Sequence, residues 1–563
     1  MELNYLSIWD YIIFGIVLGI SAAIGIYFRF TGGKQKTIQE YLVADRQMSA
    51  IPVAFSLMAS FISAITILGV SSEVYNYGTQ FLLINFAYVL GTPIVCYVYL
   101  PVFYKLRIYS VYEYLERRFG KTTRLIASAA FLLQMILYMG IVLYAPSIAL
   151  SAVTGLSKIG AILSVGIVCT FYSTIGGMKA VLFTDVFQSF LMLAAVICVI
   201  IQGIYEFGGV SEIWKIAEKG QRIDFWEFST DPTHRHTFFT QIIGGTFMYL
   251  GLYAVNQAQV QRLVSTRDLR TARLSLWYSL PILMILSFST GLAGLVIFAK
   301  YKDCDPIFEK RIQSPDQLLP LFVVDSFKHL PGVTGLFIAG ILSGSLSTCS
   351  SAINSLAAVT SEDYISPLFK LRNRNLKSNT VSIITKLIAL LYGGLCVALA
   401  FLSEHFTGVL QASLTIFGIA GGPLLGLFTL GMLFPSTSEL SVIPAFLSAL
   451  VITSWIGFGR PKPIPVKLAL GKLCNNSTFG NFSMLDEASL DTSLILNNVS
   501  ISELSEPTPE FFYPYKISYQ WYPLIGFTIT VVLGLVFTAF IRHKKPVDRS
   551  LLSPIITESK VLN

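Results

Sequence analysis

Charge is what this sequence is short of. Lys, Arg, Asp and Glu make up 13% of its 563 residues, about half of the roughly 25% found in soluble domains, while hydrophobic residues make up 54%. A water-soluble globule of this length could not hide so much apolar surface. Histidine is scarce as well: His234, His236, His329, His405 and His543 sit at expected helix ends or in loops. His-Glu-x-x-His, Cys-x-x-Cys, Walker and Gly-x-Ser-x-Gly patterns are all missing, which argues against the zinc-protease, redox, nucleotide-hydrolysing and serine-hydrolase chemistries they carry. Without an ATP-binding loop, active transport must draw on an ion gradient. The seven cysteines are too few and too scattered for a disulfide framework. Cys96, Cys169, Cys198, Cys349 and Cys396 fall in apolar runs, where Cys behaves as a small hydrophobe. Cys304 and Cys474 fall in loops and are the one pair placed to form a disulfide.

What the chain does have is long apolar runs. A spanning helix needs about 20 mostly apolar residues, which predicts about 13 of them, near 8–29, 49–74, 80–104, 123–153, 157–175, 180–206, 237–260, 274–299, 333–362, 381–403, 407–434, 437–458 and 519–541. The expected fold class is an all-α polytopic membrane protein. One transmembrane domain would fill 1–541, with a core near 49–434, a polar insert near 459–519, and a tail over 542–563. No basic segment precedes the first run, so that run is expected to be a retained helix, not a cleaved signal.

The net charge of +8 is spread between the apolar runs and not gathered on one basic face, so it points to membrane orientation and not to nucleic acid. Arg29, Lys34, Lys36 and Arg46 share one side with Lys105, Arg107, Arg117, Arg118, Lys121 and Arg124, with Arg262, Arg267, Arg270 and Arg273, and with Lys370, Arg372, Arg374 and Lys377. That side is expected to be cytoplasmic, with the N-terminus outside and the C-terminus inside. Lys215, Lys219, Arg222 and Arg235 fall on the other side, mixed with acids. The insert carries N-glycosylation sequons at Asn475, Asn476, Asn481 and Asn498, which require a lumenal or extracellular loop and agree with this orientation. The tail after Arg542 is expected to be cytoplasmic and disordered.

Within the helices, Ser56-Leu-Met-Ala59-Ser60-Phe61-Ile62-Ser63-Ala64-Ile65-Thr66 gathers small and hydroxyl residues inside an apolar run. Such a run suits either close helix packing or a break that frees backbone carbonyls for a cation. Gly344, Ser347 and Thr348 share a helix face, which suits either close helix packing or, with two hydroxyls opposite two carbonyls, a neutral site for sodium. Asp185 is the clearest ionisable residue within a span. It reads either as a structural anchor paired with Lys179 or as a step on a cation path, whereas Asp10, Glu73 and Asp363 lie near helix ends and are expected to be solvated. Tyr249 and Tyr253 are four apart and read either as one wall of a site or as an aromatic packing stripe, and Gly244, Gly245 and Gly251 permit a second break in that helix.

Taken together, Tyr144-Ala-Pro-Ser, Gly176-Gly-Met-Lys-Ala180 with Thr184-Asp-Val-Phe-Gln188, Asn256-Gln-Ala-Gln-Val-Gln-Arg262, Pro315-Asp-Gln, Leu346-Ser-Thr-Cys-Ser-Ser-Ala-Ile-Asn354 through Glu362-Asp363, and Gln411 through Gly426 resemble the sodium:solute symporter family, solute carrier family 5, over Tyr41 to Pro435. The resemblance implies the inverted five-helix-repeat fold of sodium-coupled amino-acid transporters and alternating access around a midplane site. It implies sodium held by the Ala59 and Ile62 carbonyls with Gly344, Ser347 and Thr348, no other cofactor, and ion coupling through Asp185. Phe61 and Thr66 stand where sugar symporters carry polar sugar contacts, so the resemblance points instead to the monocarboxylate, multivitamin and iodide branch. In that branch the pocket positions match Phe61, Thr66, Tyr88, Tyr249, Tyr253 and Gln411. The iodide transporter differs at Thr66, Tyr88 and Tyr249. With no Lys or Arg in the pocket-forming runs, a carboxylate would have to rely on hydroxyls, amides and helix N-termini. The expected function is sodium-driven uptake of small organic monoanions such as lactate, pyruvate or short-chain fatty acids across the plasma membrane, with sodium, the anion and the bilayer as partners. Vitamin or iodide transport is the near alternative, and a non-transporting sensor or channel on the same fold is the distant one.

Overall fold

The computed structural model describes residues 6–31, 38–371, 378–403, 408–471, 511–541 and 547–559. The architecture is carried, in chain order, by α1 (Ile8–Phe30), α2 (Ala50–Phe61), α3 (Ala64–Tyr77), α4 (Ile84–Ile94), α5 (Lys121–Thr154), α6 (Lys158–Phe207), α7 (Gly245–Tyr253), α8 (Gln257–Leu263), α9 (Leu269–Tyr301), α10 (Val333–Val359), α11 (Ser378–Leu402), α12 (Val409–Leu433), α13 (Glu439–Phe458) and α14 (Tyr522–Phe540). Among the described residues, ten helices are long and apolar enough to cross a membrane, or eleven when the bent pair α2–α3 counts as one span. The two remaining predicted spans fall short of that length for visible reasons. Residues 158–171 are the first limb of α6, which kinks where Gly177 takes φ 61°. The predicted span 237–260 is interrupted after α7, and Asn256 then caps α8 by accepting a bond from Ala258 N at 2.9 Å.

These interruptions reveal the repeat. The chain breaks at α2–α3 with a 58° bend, runs through the 79–106 span, α5 and the two limbs of α6, and then breaks again at α7–α8 before α9, α10, α11 and α12. Two sets of five spans thus each begin with a broken helix, as an inverted-repeat symporter requires. The centre lies around α10 and α12, where 94% of each span is buried, against 22% for α14 at the periphery. The apolar faces that α14 and α1 turn outward suit lipid and not water.

Several charges expected in solvent or in loops are buried instead, because they bond backbone groups that helix ends leave open or, for Asp363, an opposite charge. Asp10 accepts from Gly332 N at 3.0 Å and Gly335 N at 2.8 Å, at the start of α10. Asp363 is held by Arg124 and by Ser110 Oγ. Arg118 donates to Gly431 O at 2.9 Å and Phe434 O at 3.0 Å, closing the C-terminal end of α12. Arg222 reaches Tyr75 O at 3.1 Å and Ala469 O at 2.8 Å, and burial lowers its pKa to about 10. The tail also departs from expectation over 547–559. Leu551 and Ser553 are buried, and Ser553 donates its N–H to Met432 O at 3.0 Å and its hydroxyl to Val98 O at 2.9 Å.

Candidate functional site

The break between α2 and α3 is the starting point. Ile62 and Ser63 take extended backbone, and the Ser63 hydroxyl accepts from Ile65 N at 3.2 Å to start α3. The last carbonyls of α2, Ala59 among them, thereby lose the N–H partners that a continuing helix would offer. Helix α10 lies against this break because Gly344 has no side chain: a Cβ there would stand 3.0 Å from Ala64 N and 3.2 Å from the Ser63 carbonyl carbon. One turn on, Thr348 Oγ1 donates to Gly344 O at 3.0 Å and Ser347 Oγ donates to Asp185 Oδ1 at 2.6 Å. Each hydroxyl has one proton, and each spends it on a neighbour. The lone pairs that remain are acceptors only, which is the state a cation ligand needs.

Asp185 is fully buried, but Lys179 is not its partner. Lys179 is exposed, with its ammonium 5.9 Å from the Phe28 ring. The carboxylate instead receives Ser347 and Ser56 hydroxyls and faces Arg262 at 3.5 Å. Arg262 is fully buried too, and it donates to Ser56 Oγ at 2.7 Å, to Ala258 O at 2.6 Å and to Ser351 Oγ. Its expected place among the basic residues of a solvated loop is therefore corrected: α8 turns it inward, under the broken helix. The amide-rich string leading to Arg262 was the available signal, since so many polar side chains between two apolar runs must find partners inside the protein.

Two cavities adjoin this assembly. The larger, about 60 Å³, has Ser60, Thr66, Asn256, Gln259, Thr348 and Ser351 among its polar walls, and none of the residues lining it is charged. The smaller, about 40 Å³, is mostly apolar, with Phe81, Tyr88, Met248, Tyr249 and Ser287 in its wall. Phe61, Thr66, Leu410 and Leu414 line both. Phe61 meets Tyr88 edge-on at 5.7 Å and Tyr253 at 5.5 Å, while Tyr249 and Tyr253 stack at 4.3 Å. The two tyrosines expected in one wall divide their work. Tyr249 reaches the smaller cavity with its hydroxyl 2.9 Å from Thr92 Oγ1, and Tyr253 stacks behind it, its hydroxyl donating to Leu57 O at 3.3 Å.

Gln411 sits above the cavities, next to Leu410. Its Oε1 accepts from Arg235 at 2.7 Å, and Arg235 also holds Glu73 through Nε at 2.5 Å and Nη2 at 3.1 Å. Glu73 was expected to be solvated; it is buried because Arg235 and His236 neutralise and bond it. An arginine therefore does stand close to the pocket-forming runs, brought there by a loop that hydropathy reads as exterior. At the same end of the molecule Cys304 is disulfide-bonded, and Asp305 N donates to Gly471 O at 3.0 Å. Cys474, Asn475, Asn476, Asn481 and Asn498 lie outside the described residues.

Known proteins similar to this chain bear on its family and its fold. The family model described as "Sodium:solute symporter family" matches residues 41–440. A putative sodium-dependent multivitamin transporter of Drosophila melanogaster is 53% identical over 530 residues, covering 94% of this chain and 86% of that protein. The sodium-coupled monocarboxylate transporter 1 of Homo sapiens is 43% identical over 535 residues, with 94% and 86% covered. Among solved structures, a Na+-coupled sialic acid symporter in a substrate-bound outward-open state superimposes with a TM-score of 0.77 at 22% identity, over 96% of this chain and 99% of that one. At that identity the likeness establishes the fold.

Proposed function

Because this chain belongs to the sodium:solute symporter family, and so is a multi-pass, sodium-coupled symporter and not an enzyme, we propose that its cargo is a small organic monoanion, a monocarboxylate such as lactate, pyruvate or a short-chain fatty acid. The observation that carries this reading is the first turn of α3, where Ser63, Ile65 and Thr66 line the larger cavity. The positive end of a 14-residue helix there meets a largely apolar space whose few polar groups are neutral hydroxyls and amides. Such a site favours one negative charge and gives no countercharge for a second.

Sodium is assigned to the carbonyls of Ala59, Ile62 and Gly344 with the hydroxyls of Ser347 and Thr348. Thr348 also lines the larger cavity, so an ion there would rigidify a wall that the substrate touches, which couples the two bindings. Asp185 would assist passage of the ion. Phe61, Thr66, Tyr88 and Tyr249 form the substrate walls, with Tyr253 backing Tyr249 and Gln411 at their mouth. The N-terminus and the 459–519 insert are placed outside the cell, the tail inside, and the protein in the plasma membrane.

A second reading, transport of a carboxylate-bearing vitamin such as biotin or pantothenate, is favoured by the 53% identical relative and by the apolar second cavity, which could take the larger body of such a molecule. Uptake of labelled lactate, nicotinate, biotin and iodide by cells expressing the chain, in sodium against choline medium, separates these readings. Sodium-dependent lactate and nicotinate uptake is expected; biotin alone would favour the second reading, and sodium independence throughout would end both. Alanine at Ser347 or Thr348 is expected to raise the half-saturating sodium concentration about tenfold, the loss of one oxygen ligand worth roughly 1.4 kcal/mol. For Thr348→Ala the substrate KM should rise as well.

A further inference from the structure

Three hydrogen bonds from one arginine tie the end of α3 to the first turn of α12, and they are not equal. Arg235 grips Glu73, near the end of α3, in a two-point fork at 2.5 and 3.1 Å. Its remaining guanidinium nitrogen donates to the neutral amide oxygen of Gln411, in the first turn of α12, at 2.7 Å. The guanidinium is steadied by the rings of Tyr77 at 4.4 Å and Tyr519 at 5.2 Å. His236 adds a contact to Glu73 at 3.1 Å, and burial lowers its pKa, so it supplies no second positive charge. Asp316 faces the same turn of α12 and accepts from Val409 N at 3.2 Å; burial pushes its pKa up to about 6.

The position of this cluster gives it a role. Thr66 and Val70, two turns and one turn below Glu73 on α3, line the smaller cavity, and so does Leu410 beside Gln411. Arg235 therefore bolts together two walls of the space beneath it. The bond to Gln411 is the one that can be exchanged, because its acceptor is a neutral amide held at one point, whereas Glu73 offers an opposite charge and a two-point fork. We propose that the carboxylate of an incoming substrate displaces Gln411 from Arg235, which makes Arg235 an outer binding residue for the carboxylate and Gln411 its built-in competitor. Exchange frees the first turn of α12 from α3 and uncovers the cavities. Glu73 already neutralises Arg235, so the added anion is held loosely and passes on. A solute without a carboxylate offers no acceptor that outbids the amide, so the latch selects as well as closes.

This inference rests on the monoanion reading, and the test separates the two. Initial rates of sodium-dependent uptake are measured in intact cells against the concentration of the carboxylate that the unaltered chain accepts, with surface protein quantified by biotinylation. Gln411→Glu gives Arg235 an anionic competitor, and KM is expected to rise about tenfold, the difference between a charged and a neutral acceptor. Gln411→Leu removes the competitor and should lower KM severalfold. Arg235→Lys keeps the charge but loses the fork, and should raise KM for carboxylates of every length alike. Equal losses of Vmax in both Gln411 variants with KM unmoved would mark a purely structural contact and overturn the proposal. If the unaltered chain takes up no carboxylate, the monoanion reading falls and this inference with it; uptake with an unmoved KM in Gln411→Glu removes this inference alone.

Discussion

Arg262 and Asp185 face each other at 3.5 Å, with no solvent exposure on either side chain. A buried pair of this kind adds little net stability over an apolar substitute, yet losing one partner strands the other charge and costs about 3–5 kcal/mol. Arg262→Met alone is therefore expected to lower the Tm of the detergent-solubilised protein sharply, and combining it with Asp185→Asn should recover most of the loss. Equal melting of the single and double variants would show that the two residues are not coupled. At this scale Asp185, Ser347, Thr348 and Gly344 were legible, because a carboxylate or a hydroxyl cluster inside an apolar run is conspicuous. Arg262, Arg235 and Glu73 were not. Each stands at the edge of an apolar run, where hydropathy alone assigns a charge to water, and only the packing of segments far apart in sequence shows otherwise.

Among the elements, α10 packs against α1, both halves of the broken α2–α3, α5, α6, α8 and α11. Gly340 and Gly344 lie one turn apart on the side that meets α6 and the broken helix, but they are packed differently. A Cβ at Gly340 would stand 2.5 Å from Ala195 Cβ and 2.8 Å from Leu191 O, so Gly340→Val must prise α10 from α6, at about 1–3 kcal/mol for overpacking. At Gly344 the nearest backbone atom is at 3.0 Å and belongs to the break. Gly344→Ala is expected to impair sodium-dependent uptake with little change in Tm, while Gly340→Val lowers Tm. The reverse order would mean that the break tolerates displacement and is not where the ion is held. The spans themselves were legible, since a long apolar run is a local property of the chain. The interruption at Gly177 falls in the gap between the predicted spans 157–175 and 180–206, whereas the π-helical turns at Val95–Tyr99, Thr240–Gly244 and Thr360–Ile365 leave no comparable mark, because they depend on what each helix meets.

For the whole molecule, the order of spans and the two broken helices could be anticipated from the sequence, but the way distant segments close the ends could not. The docked tail shows why: its polar composition reads as disorder, while its anchors are the Met432 and Val98 carbonyls, more than a hundred and more than four hundred residues away. The loop that delivers Arg235 is a similar case. One ion pair, Glu73–Arg235, thus lies above the cavities and another, Asp185–Arg262, lies below them, and each carries no net charge. A protein that rocks open on one side and then the other moves these pairs as dipoles, so they contribute no displaced charge of their own in a field where one elementary charge crossing 100 mV is worth about 2.3 kcal/mol. With the proposed monoanion as cargo, the steady current under voltage clamp per anion accumulated then counts sodium ions less one. Arg235→Gln, which leaves Glu73 as an uncompensated charge, should alter the capacitive transient after a voltage step while that ratio stays fixed.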